Sequence, residues 1–102
     1  ARATGGCGLT ILEASSVHRS SRLHVALFRD EIVPALRRLM DAVAPHGMRV
    51  VQQLWHGGNL YPAFDGGPPW AVSDVPGHLG LVGEVMRRQE LDQLRDAFVT
   101  AA

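Results

Sequence analysis

RVVQQLWHGGN, from Arg49 to Asn59, begins as an apolar, β-branched run, carries two amides in its middle, and breaks at Trp55-His56-Gly57-Gly58. Such a run suits a buried strand that delivers polar side chains into the loop at its carboxyl end. Alternation along a strand sends Gln52 and Gln53 to opposite faces. Only one can reach a site at the strand end, and the other needs a partner under a helix or at the bottom of the sheet. Gln53 shares its face with Val51 and Trp55. A buried amide asks for a donor and an acceptor together, which the N–H and C=O edge of a flat heterocycle supplies, as does neighbouring backbone.

Working outward, Leu9 to Ala14 (LTILEA) is apolar on both faces until Glu13 and fits a parallel strand covered on both sides. Between the two runs lies a helix pattern. Asp30 is placed as its N-cap, and Glu31 suits the positive end of the helix dipole. Ile32, Val33, Leu36, Leu39, Met40 and Val43 form one apolar stripe, with Arg37, Arg38 and Asp41 opposite. Pro34 falls in the first turn, where backbone N–H groups lack partners anyway, and Pro45 and Gly47 close the helix. Strand, helix and strand on short connections predict a right-handed βαβ crossover and a parallel sheet. Ligand sites in such sheets gather at the carboxyl edge, so Glu13-Ala14 and Gln53 to His56 are expected on one rim.

The remaining segments read more coarsely. Residues 1–8 look like the tail of a helix stopped by Gly5-Gly6. Ser15 to Arg29 is mostly loop, with room for a short turn or strand within Leu23 to Phe28. From Gly57 to Gly83 no period survives, and Tyr61, Phe64 and Trp70 favour a packed loop. Glu90 to Ala102 carries Leu91, Leu94, Ala97, Phe98 and Ala101 on one stripe, a second helix whose start is poorly marked by Arg87-Arg88. The expectation is α/β, one partial domain over residues 1–102. The start at Ala1-Arg2-Ala3 and the end inside a helical pattern read as a fragment.

Ten basic and ten acidic residues cancel in this 102-residue chain, so charge recommends neither nucleic acid nor an anionic membrane as a partner. No apolar run approaches the roughly 18 residues of a membrane span, and no leader pattern suggests secretion. A cytoplasmic protein is the expectation. The lone Cys7 forms neither a disulfide nor a zinc framework, and five scattered histidines lack ligand spacing, so no metal is expected. Ser15, Ser16 and Ser73 lack the GxSxG context of a nucleophile. Gly57-Gly58 has no following helix to make a phosphate loop. Glu13 is a candidate general base or ligand-holding carboxylate, or else a partner for an arginine or loop amides. His56 suits acid-base chemistry or the anchoring of a loop.

Three blocks, GCGLTILEASSVH (Gly6 to His18), DEIVPALRRLMDAVAPHGMRVVQQLWHGGN (Asp30 to Asn59) and GPPWAVSDVPG (Gly67 to Gly77), follow one another as in the old yellow enzyme family. The chain most resembles the NADH:flavin oxidoreductase branch that includes 2,4-dienoyl-CoA reductase-like proteins. The resemblance implies part of a (β/α)8 barrel that binds FMN at the carboxyl ends of its strands, with residues 9–14 and 49–54 as the second and third strands. It implies that Gln53 meets the pyrimidine edge of the flavin and that the backbone at Ala14 approaches the ring, with Glu13, Ser15 and His56 close by. The implied activity is an FMN-dependent oxidoreductase that passes hydride from NAD(P)H through FMN to a small-molecule electron acceptor such as an activated alkene.

Departures from the family pattern fall at Ala71 to Asp74, at Arg87 and at Asn59, so no role passes to Ser73. The first strand, the later substrate-anchoring histidine pair and the phosphate-binding arginine of the family have no counterpart here, and no catalytic residue is assigned. A barrel takes about 250 residues, and this chain supplies at most three βα units. The fragment alone is expected to be inactive. Two alternatives remain: an inactive α/β fragment or interaction module without flavin, and, more remotely, a barrel metal hydrolase using Glu13 and His56.

Overall fold

The computed structural model describes all of residues 1–102. β1 (Leu9–Ser16) and β2 (Arg49–Trp55) pair in parallel, and α1 (Val33–Val43) runs between them as the crossover. A second, two-residue parallel bridge joins β3 (Trp70–Ala71) to β4 (Glu84–Val85), and α2 (Arg88–Ala101) follows. This is the expected βαβ unit of a parallel barrel, in the expected order.

Local details differ from expectation where side chains lack the partners that the pattern assumed. Asp30 does not cap a helix: it lies inside a 3-10 turn, Asp30–Ile32, that precedes α1, and no side chain caps either element. Pro34 does sit in the first turn of α1, and Gly47 ends the following 3-10 turn in the left-handed region at φ 68°. A side chain there would be strained, which is why the stop falls on glycine. At α2 the poorly marked start is settled by Glu90, whose carboxylate accepts the Arg87 backbone N–H at 2.8 Å. Residues 1–8 make one turn rather than the tail of an assigned helix. Its end carries the crossed pair of bonds typical of a helix stop, Cys7 N–H to the Arg2 carbonyl at 3.2 Å and Gly6 N–H to Ala3 at 3.1 Å. Within Leu23 to Phe28 only an isolated bridge from Ala26 to Ser16 forms.

Burial is where the structure departs most from the pattern. The two strands were expected to be covered on both faces, yet Leu9 is 53% exposed, Ile11 64% and Val51 48%. These residues share one sheet face by alternation and register, and two strands supply nothing to cover it. Along the stripe, Ile32 in the preceding 3-10 turn and Leu36, Leu39 and Val43 on α1 are the shielded part, while Val33 and Met40 are exposed. The accessible surface of 6963 Å² exceeds the about 5,600 Å² of a closed domain of this mass. The radius of gyration of 16.1 Å likewise exceeds the about 13 Å of a compact hundred-residue domain. The fully buried residues gather instead at the carboxyl ends of the strands: Ser15, Ser16, Val17, Ser21 and Pro69. No helix is long and apolar enough to cross a membrane.

Candidate functional site

The register of the parallel pair breaks at one place. Leu12 pairs with Gln52 and Ser15 with Leu54, so Glu13 and Ala14 together face the single residue Gln53. Two residues opposite one make a β-bulge, a feature that re-aims side chains near sites. The three residues expected at the cofactor, Glu13, Ala14 and Gln53, therefore meet at one irregularity near the carboxyl edge of the sheet.

Gln53 and Glu13 are exposed on the same face as Ile11 and Val51. No side-chain hydrogen bond within the chain engages the Gln53 amide, and the Glu13 carboxylate pairs with no arginine: the three ion pairs all join residues of α2. Gln52 is the amide that finds an internal partner. Its Nε2 donates to the Glu13 carbonyl at 2.7 Å and to Ser15 Oγ at 2.8 Å. It thus ends on the bulge of the neighbouring strand rather than under a helix.

The serine-rich run after β1, which reads as loop, packs into the rim. Val17 N–H reaches the Trp55 carbonyl at 3.1 Å, and Ser21 Oγ accepts the Gly57 N–H at 2.8 Å. Ser20 Oγ stands between two imidazoles, 2.8 Å from His18 Nδ1 and 2.9 Å from His56 Nε2. Two backbone donors assign the tautomers. Gly58 N–H points at His56 Nδ1 and Ser20 N–H at His18 Nδ1, both at 3.3 Å, so each Nδ1 is an acceptor. His56 Nε2–H then donates to Ser20, and the Ser20 hydroxyl donates to His18. Burial, and secondarily the neighbouring His18, lower the His56 pKa to about 4. Burial, and then Arg19, lower that of His18. Both rings are neutral near pH 7, as the hydrogen-bond chain requires.

His56 therefore anchors the loop, the plainer of its two expected roles, and His18 also stacks on Trp70 with centroids 4.5 Å apart. Sequence reasoning missed the link through Ser20 and the burial of Ser15 to Ser21. The signal was the density of small hydroxyl side chains around Val17 and His18 immediately after a strand. Trp55 folds over Gly57 so closely that a Cβ there would run into the indole ring, so a side chain at this position must displace Trp55. The Ser16 hydroxyl is buried without a partner, and nothing in the structure explains it.

A cleft of about 1140 Å³ beside the His18–Trp70 stack includes none of Glu13, Ala14 or Gln53. Its rim mixes Arg19 and Arg29 with Asp30, Glu31, Asp65 and Glu84, so it favours neither sign of charge. No group of three or more histidine, cysteine or acidic residues converges, and Glu13 with His56 has no third ligand. The bulge is the better candidate.

The whole chain superposes on 34% of the old yellow enzyme homologue from Zymomonas mobilis with a TM-score of 0.80 and 26% identity. The chain resembles the old yellow enzyme family in fold and sequence. Its β1–α1–β2 unit is a piece of that family's (β/α)8 barrel, and the open sheet face follows from the piece being partial. Over 60 residues the chain is 48% identical to an NADPH dehydrogenase of Listeria monocytogenes, a match covering 56% of the chain and 18% of that protein. Over 105 aligned positions it is 31% identical to a metal reductase of Desulforamulus reducens, covering 99% of the chain and 16% of that protein. The chain thus spans less than a fifth of the curated relatives it matches. No protein-family model matches it.

The donor set at the bulge fits the FMN that the family implies. An amide without an internal partner offers a donor and an acceptor side by side, complementary to the alternating C=O and N–H of a flavin pyrimidine. The small Ala14 side chain at the bulge lets backbone come close to a flat ring. Neither feature is used up by the chain itself.

Proposed function

We propose that this chain forms one wall of the FMN site of an NAD(P)H-dependent oxidoreductase, and that the whole protein passes hydride from NAD(P)H to a small electron-poor acceptor such as an activated alkene. The observation that carries the reading is the β-bulge that sets Glu13 and Ala14 against the free amide of Gln53 at the carboxyl edge of the parallel strands. The names of the relatives, NADPH dehydrogenase and old yellow enzyme homologue, support the oxidoreductase class and favour NADPH as reductant.

FMN, when bound, supplies the redox chemistry, accepting hydride from the nicotinamide and passing it on. The residues of this chain bind and orient. Gln53 is proposed to hold the pyrimidine edge with its amide, and the Ala14 backbone to lie against the ring. The Glu13 carboxylate stands at the same edge, where its charge would disfavour added negative charge nearby. Ser20, His18 and His56 brace the loops on the same rim. A proton donor to substrate is not assigned to this chain.

The test is to purify the whole protein that carries this sequence and record its absorption. The expected result is a yellow protein whose flavin band bleaches on adding NADPH under nitrogen and recovers with an activated alkene. Replacing Gln53 by Leu is expected to weaken FMN binding by about tenfold, the loss of one or two hydrogen bonds. A colourless protein that takes up no added FMN would leave the inactive-fragment reading in its place.

A further inference from the structure

A bulge leaves its extra residue without a ladder partner. In β1 neither Glu13 nor Ala14 has a partner of its own in the register, and the Glu13 carbonyl accepts from side chains. Gln52 Nε2 donates to it at 2.7 Å and Ser15 Oγ at 3.2 Å. The second Gln52 N–H goes to Ser15 Oγ at 2.8 Å, so the three groups close a ring. The amide orientation is fixed, because a carbonyl oxygen only accepts and the amide nitrogen must face it. Ser15 is fully buried, so the Ser15 corner of the ring is the part sheltered from water.

Gln52 comes from the opposite strand and is the immediate neighbour of Gln53. Its side chain leaves the sheet on the face away from Gln53, reaches across to β1, and ties down the residue pair that Gln53 faces. We propose that Gln52 is a positioning residue, a cross-strand clamp that fixes the β1 bulge and so sets the spacing between the Glu13-Ala14 backbone and the Gln53 amide. The assignment rests on the FMN reading above, since the spacing matters only if a ligand is gripped between these groups. It gives adjacent glutamines separate tasks: Gln53 touches the flavin, and Gln52 holds the frame that the flavin meets. Ser15 relays the clamp, because it both accepts from Gln52 and donates to Glu13.

The experiment compares the whole protein with its Gln52→Leu, Ser15→Ala, double and Gln53→Leu variants, reading FMN dissociation constant, flavin absorption spectrum and melting temperature. Gln52→Leu is expected to weaken FMN about tenfold and to shift the flavin bands, since the ring then sits against a relaxed backbone. Ser15→Ala removes one acceptor and leaves the carbonyl bond, so a loss of about threefold is expected. The double variant is expected to bind no more weakly than Gln52→Leu, because the two residues share one ring of bonds. If Gln52→Leu does not fold, Ser15→Ala decides alone by its affinity and spectrum. Should both variants keep wild-type affinity and bands while Gln53→Leu loses FMN, the clamp is overturned and the FMN reading stands. Should the wild-type protein take up no FMN, the FMN reading fails, and the positioning role with it.

Discussion

The rim and the sheet face of this chain invert the usual relation between polarity and burial. At the rim, Ser15, Ser16 and Ser21 are completely buried and Val17 is 1% exposed. On the sheet face, the apolar side chains of Leu9, Ile11 and Val51 are about half exposed or more. The difference lies in where each region finds its partners. Apart from the Ser16 hydroxyl, the rim groups satisfy one another within about fifty residues of chain, through Ser20 between two histidines, Ser21 on Gly57 and Gln52 on Glu13. Barrel strands are completed by other strands and by the layered side chains of a barrel interior. Hydrophobicity states what needs covering and leaves open which segment covers it.

The contrast can be broken first at Gly57. Its replacement by Val drives a side chain into the Trp55 ring and is expected to cost about 1–3 kcal/mol or more by overpacking, seen as a lower urea midpoint. An unchanged midpoint would mean that the Trp55 ring moves aside freely and that the rim is loosely packed. Next in size is Ser20→Ala, which leaves His56 Nε2–H and His18 Nδ1 without their shared partner. A loss of about 1–2 kcal/mol is expected in thermal denaturation, and a neutral result would remove the serine from the account of the rim.

Acid acts on the same link. His56 has a folded pKa near 4 against an ordinary 6.5, so the unfolded chain binds more protons between those values. The stability contributed by neutral His56 is complete above pH 6.5 and is lost as pH falls towards 4. The lowered pKa of His18 adds in the same direction. Denaturation midpoints measured from pH 7.5 down to 4 should decline, and the decline should be shallower in a Ser20→Ala, His56→Gln double variant. The smallest effect is expected on the open face. Ile11→Thr should change the stability of the isolated chain by less than about 0.5 kcal/mol. The same substitution in a closed barrel should cost about 1–3 kcal/mol, the order of burying such a side chain; equal costs in both settings would contradict the barrel assignment of this face.

The strands, the crossover helix and their order were readable from local pattern, because the apolar runs and the 3.6-residue stripe are properties of contiguous residues. The meeting of Glu13, Ala14 and Gln53 was readable only as a shared rim. Their convergence depends on a register break that no alternation of LTILEASS announces. Asp30 looked like a cap because caps are chosen locally, yet a 3-10 turn took that place. Glu90, three residues past an unpromising Arg87, did the capping at α2. Gln52 was harder still. Its partners are 37 and 39 positions away, Ser15 and Glu13, and only the folded register brings them within reach. The serine run was misleading for a related reason: hydroxyls look solvated until the donors and acceptors that enclose them are known.

The central claim is that the bulge and Gln53 form the wall on which FMN rests. Amide hydrogen exchange of the whole protein, followed by mass spectrometry with and without FMN, tests it directly. The account predicts that FMN slows exchange in peptides spanning Leu12 to Ser16 and Gln52 to His56, with little change in α1. Flavin that binds while these two segments exchange at unaltered rates would contradict it.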